Sequence, residues 1–92
     1  MLDIKEYLKQ LKKHFKDEGF EAQAKYNDFK VFEGGMINCV LWDGDSVWCV
    51  VKISVGDTVR LHQVHPIDGF VHKLLLDIIY RVIERAAVGA EK

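Results

Sequence analysis

Trp42 and Trp48 are followed by Lys52, Arg60 and His62 within one stretch of the chain. Aromatic rings beside cationic side chains, carried on a sheet, are the apparatus that stacks and neutralises single-stranded nucleic acid. No RNP-type sequence accompanies them. The competing reading packs both tryptophans in a homodimer or beneath a loop, and it is the one favoured here.

Other reactive residue types have weaker spacing. His62 and His65 form an H-x-x-H pair, but a separation of three on a strand sends two side chains to opposite faces. Cys39, Cys49 and His72 are possible further ligands, yet no spacing unites them into the three or four that zinc needs. Asp43-Gly44-Asp45 lacks the remaining ligands of a calcium loop and reads as a hairpin turn. Gly34-Gly35 and Gly56 do not have the spacing of phosphate-binding loops. Ser46 and Ser54 are the only serines, and neither lies in a nucleophile elbow. No catalytic residue, metal ligand or cofactor is assigned.

Composition narrows the classes further. The 92 residues suffice for one domain. Hydrophobic residues at 49% and a net charge of −1 describe a globular chain rather than a disordered one. Lys+Arg 13 against Asp+Glu 14 lacks the basic surplus of a dedicated nucleic-acid binder. Two cysteines are too few for a disulfide scaffold. The N-terminus shows no signal-peptide pattern, and Lys73, Asp77, Arg81, Glu84 and Arg85 interrupt the most apolar stretch, so no membrane span is expected. A cytoplasmic location with reduced thiols is the expectation.

The elements that would position these residues follow from periodicity. Ile4, Leu8, Leu11 and Phe15 recur at helical spacing and predict a helix over 2–18. Asp3 and Glu6 have capping-box spacing at its start, and Gly19 fits its end. The lysines at 5, 9, 12, 13 and 16 are its solvated face. Residues 20–26 alternate as a strand, Asn27-Asp28 is a turn pair, and 29–33 make a second short strand. The strongest strand signals cover 36–42, 47–55 and 58–64. A last helix is predicted over 67–87, with Pro66 and Asp68 at its start and Gly89 as its stop.

Short turns between strands impose antiparallel pairing. In the last three strands the odd positions, among them Ile37, Cys39, Leu41, Val47, Cys49, Val51 and Ile53, form the better core. Odd opposite odd requires an odd loop, so a three-residue Asp43-Gly44-Asp45 turn is expected, with Cys39 facing Cys49. Asn38, Val40, Trp42, Trp48, Val50, Lys52, Arg60, His62 and Val64 then share the other face, which is too apolar to be fully solvated. The last helix also carries more apolar residues than one buried arc of ~100° needs. Covering that surplus with a second copy is favoured over sandwiching the helix between the sheet and the first helix.

The fold class is therefore α+β, one domain over 1–92: an N-terminal helix, an antiparallel β-meander of about five short strands, and a C-terminal helix, both helices on one face of the sheet. The function expected is a non-enzymatic protein-interaction module, acting as a homodimer or meeting another protein. Its candidate surface is Val40, Trp42, Trp48, Val50, Lys52, Arg60 and His62 on the strands, with Leu76, Ile79 and Ile83 on the last helix. The alternatives are a single-stranded nucleic-acid-binding protein using the sheet face, and a small-ligand or enzymatic domain with a pocket between helices and sheet.

Overall fold

The computed structural model describes residues 2–28, 34–65 and 73–91. Its first element is α1 (Ile4–Asp17). The Asp3 carboxylate caps it, accepting from the Glu6 N–H at 3.2 Å. The return half of the capping box is absent, because Glu6 accepts from the Gln10 amide at 3.0 Å while the Asp3 N–H donates to the Ala90 carbonyl at 3.2 Å. A local cap has been exchanged for a link to the far end of the chain. The helix ends in a Schellman motif: the Phe20 N–H reaches the Phe15 carbonyl at 2.9 Å and the Gly19 N–H reaches that of Lys16 at 3.0 Å. That motif needs a left-handed residue at its hinge, and Gly19 supplies it with φ +96°.

Four strands follow, β1 (Glu21–Asp28), β2 (Gly35–Asp43), β3 (Ser46–Val55) and β4 (Val59–His65). They form one antiparallel sheet in the order β1-β2-β3-β4. Among the described residues there are thus four strands where about five were expected; the separate strand expected at 29–33 lies outside the described residues. Asn27 and Asp28, expected as a turn, are the last residues of β1, opposite Met36 and Gly35.

Two bulges set the register. Asp43 pairs with Ser46 and Trp42 with Val47, so the β2–β3 hairpin turns on Gly44-Asp45 alone rather than on three residues. Only Gly44 has a positive φ there, +62°, as a type II′ turn requires of its first central residue. A two-residue turn should put the wrong face of β3 inward. The strand recovers by inserting Trp48, so that Cys49 faces Leu41 and Val51 faces Cys39. Cys39 is therefore diagonal to Cys49, not opposite it. The β3–β4 hairpin does have a three-residue turn, Gly56–Thr58, and pairs Val55 with Val59 and Ile53 with Leu61. Beyond this, His62 is inserted, Gln63 moves opposite Lys52, and Val64 rather than Gln63 turns inward to face Val51.

The last element is α2 (Lys73–Ala90). The expected start at 67, with Pro66 and Asp68, lies outside the described residues. Gly89 does not stop the helix. It lies within it, where a Cβ would come within 2.7 Å of the end of the flexible Gln10 side chain of α1. Tyr7, Leu11 and Phe15 of α1, Leu75, Ile79, Val82, Ile83 and Ala86 of α2, and the inward strand residues make one buried cluster. Tyr7 is fully buried, and its hydroxyl donates to the Ile83 carbonyl at 3.2 Å, which satisfies the polar tip of a core residue.

Two substitutions test this account by thermal unfolding. Tyr7→Phe keeps the packing and loses only the buried hydrogen bond, so it is expected to cost about 0.5–1.5 kcal/mol. Gly35→Ala would drive a Cβ into the Asn27 carbonyl oxygen and the Tyr26 ring. It should cost about 1–3 kcal/mol and lower the melting temperature by several degrees.

Candidate interaction surface

The strand residues that point away from the buried cluster form cross-strand rows. The first row is Glu21, Trp42 and Val47; the second is Gln23, Val40, Val50 and His65. The third is Lys25, Asn38, Lys52 and Gln63; the fourth is Asn27, Met36, Ser54 and Arg60. Val40, Trp42, Val47 and Val50 thus sit together at the β2–β3 hairpin end, while Lys25, Lys52 and Arg60 occupy the opposite end. The two halves differ in character because Val and Trp alternate with inward residues only in the hairpin half of β2 and β3.

The structure brings together four of the expected strand residues, Val40, Trp42, Val50 and Lys52, all half-buried, and adds Arg60 at the edge. The Trp42 indole Nε1 is buried without a hydrogen-bond partner among the described residues. Val47 was assigned to the core by its odd number, but the Trp48 insertion leaves it opposite Trp42 and 52% exposed. The signal for it was Gly44 followed by Asp45, since glycine as the first of two turn residues favours a two-residue type II′ turn and so demands a compensating bulge.

Trp48 does not stand beside Trp42. Its ring stacks on Phe20, with centroids 4.8 Å apart and planes 17° from parallel. Phe20 itself packs against the buried cluster, so the bulge has swung Trp48 to cover the end of the core. A nucleic-acid platform built on both tryptophans loses one of its ring faces to this stack. His62 is the exposed inserted residue of β4 rather than a member of a row.

The helical part of the expected surface is corrected. Ile79 and Ile83 are buried in the cluster, at 0% and 4% exposure, because Tyr7, Leu11 and Phe15 of α1 cover the face that a second copy was expected to cover. Leu76 is half-buried. Among the described residues of α2, the large apolar side chains that are exposed are Tyr80 and Val88.

Among the described residues no three His, Cys, Asp or Glu side chains are placed to hold a metal ion. Burial, and behind it the proximity of Cys49, pushes the Cys39 thiol up to about 12. Burial alone pushes Cys49 up to about 11. The Tyr7 hydroxyl is raised by burial first and by Cys39 second. All three shifts favour the neutral, unreactive form. No described helix is long and apolar enough to cross a membrane. No family model, curated protein or solved structure matches the chain.

Both thiols should therefore resist an alkylating reagent at pH 8 in the native state and react fully in denaturant, as followed by intact mass. Stability should also fall in alkali. The folded thiols ionise above the ordinary value of 9.0, so the unfolded chain loses protons first as pH rises. Their contribution is complete below about pH 9 and declines through about pH 11–12. Denaturant midpoints across that range check the sign.

Proposed function

We propose that the protein is a non-enzymatic interaction module that forms a homodimer through its open sheet face. In this arrangement both helices cover the same side of the sheet, a reading supported by the single cluster that unites their buried residues with the inward strand positions. The observation that carries the proposal is the apolar group Val40, Trp42, Val47 and Val50 on the opposite positions, where isolated solvation would leave a tryptophan and three valines facing water.

The face is complementary to itself. A two-fold axis parallel to the strands lays β2 of one copy over β3 of the other and β1 over β4. Row by row, Val40 then meets Val50, Trp42 meets Val47, Asn38 meets Lys52, Lys25 meets Gln63, and Asn27 meets Arg60. Apolar rows meet apolar rows, every lysine meets an amide, and no like charges oppose. Sheets packed this way sit ~10 Å apart with strands within about 30° of each other. Four strands spaced ~4.8 Å and about eight residues rising ~3.3 Å each give a face of roughly 19 by 26 Å. Two such faces bury about 1,000 Å², the lower bound of a specific interface.

The sheet edges are poorer candidates. β1 exposes Glu21 and Lys25, while β4 exposes Arg60 and carries the His62 bulge. Charges and bulges are the devices that keep edge strands from pairing.

Light scattering coupled to size exclusion should give twice the chain mass, with dissociation on dilution. Val40→Glu places a carboxylate in the second row of each copy, opposite the partner's Val50, and should yield a folded monomer. Val88→Glu, on the far side of the molecule, should remain dimeric. A wild-type monomer at every concentration defeats the proposal.

A further inference from the structure

A second surface lies where the C-terminal turns of α2 approach the β3–β4 turn. A cleft of about 430 Å³ opens there, with Leu2, Val59 and Val88 among its apolar walls. Val88 is 75% exposed, more than any other large apolar side chain described. Asp57, Glu84 and Glu91 stand around the same cleft, and no basic side chain among the described residues lines it. None of the three carboxylates has an ion-pair partner among the described residues, where the Arg81–Glu18 bridge is the ion pair found.

The position of Glu91 runs against local electrostatics. The C-terminal end of a helix carries partial negative charge and favours cations. The last turn of α2 contains no basic residue, and Glu91 follows immediately. Such an arrangement destabilises the isolated helix end, and a local rule broken without a local gain marks a functional position. The walls are also held in place before anything binds. Leu2 bridges to Glu91, the Asp3 N–H holds the Ala90 carbonyl at 3.2 Å, and the opposing turn is closed by Gly56 N–H to the Thr58 carbonyl at 3.0 Å. A preformed site spares its ligand part of the ordering cost.

We infer that this cleft docks a peptide segment of a partner protein, with an aliphatic side chain seated against Val59 and Val88 and flanking lysine or arginine residues facing Asp57, Glu84 and Glu91. The carboxylates do not gather closely enough to hold a metal ion, and the apolar walls would gain nothing from a lone cation. A chain that is both aliphatic and basic satisfies both halves. This inference does not depend on the dimer, since the cleft is built from residues outside the sheet rows.

The test is selection of a random displayed 12-residue peptide library on the full chain, followed by titration of the enriched peptides. The expected sequences carry leucine, isoleucine or valine beside lysine or arginine, and their affinity falls as salt rises. The Glu84→Gln, Glu91→Gln double variant changes only exposed side chains and should bind them roughly tenfold more weakly, as the loss of two rim charge pairs implies. Val88→Glu should abolish binding with an unchanged circular dichroism spectrum. Absence of enrichment, enrichment of neutral or acidic peptides, or equal binding by the double variant overturns the inference. So does loss of peptide binding by Val40→Glu, whose cleft is intact, since that would place the peptide on the sheet face instead.

Discussion

Strand parity is the constraint from which the rest of this molecule follows. A hairpin turn of even length exchanges the faces of the strand that leaves it, and Gly44-Asp45 is such a turn. One inserted residue must therefore be placed somewhere in the hairpin if Cys49, Val51, Ile53 and Val55 are to enter the buried cluster. Trp48 is that residue. Its insertion decides three things together: which β3 side chains enter the core, that Val47 is left outside beside Trp42, and that a large ring is free to lie over Phe20 at the open end of the sheet. His62 makes the same adjustment in β4 and delivers Val64 to the core. The inner layer and the outer surface are two results of one register.

The two helices meet each other directly. Tyr7 reaches a backbone carbonyl in the middle of α2, and the Gln10 side chain lies against Gly89. These contacts join residues near the two ends of the chain, so the helix pair is formed by the longest-range contacts in the fold. Hairpins form from near neighbours, whereas docking two terminal helices requires closing nearly the whole chain. The apolar breadth of α2 is explained by this pairing. Part of its apolar arc, including Ile79 and Ile83, is buried in the cluster with Tyr7, Leu11 and Phe15 of α1, while Tyr80 and Val88 stay exposed.

Much of this was legible in the amino-acid order. The Ile4–Phe15 stripe, the Asp3 cap and Gly19 located α1 to within two residues at its start and one at its end. The alternation of Ile37, Cys39 and Leu41 with Asn38, Val40 and Trp42 sorted β2 correctly. What was not legible depended on long-range or one-residue choices. Periodicity measures how much of a helix is apolar but not which neighbour covers it, so Ile79 and Ile83 were assigned to a surface when they belong to the core. A bulge leaves no mark in alternation except a frame shift, and in β3 both frames are rich in apolar residues, which hid the insertion of Trp48. Gly89 was indistinguishable from a helix stop until Gln10 was seen beside it.

The bridge between Leu2 and Glu91 has a topological consequence. The two positions lie side by side, so the start of α1 and the end of α2 meet at one seam. A short joining peptide could seal that seam, and new ends could then be opened at the exposed Gly44-Asp45 tip without cutting an element. By the same geometry, the whole unit could be set into a surface loop of a host protein, since the host chain would enter and leave at one point. Tension applied through such a host would first unzip the helix ends at the seam and reach the sheet only afterwards.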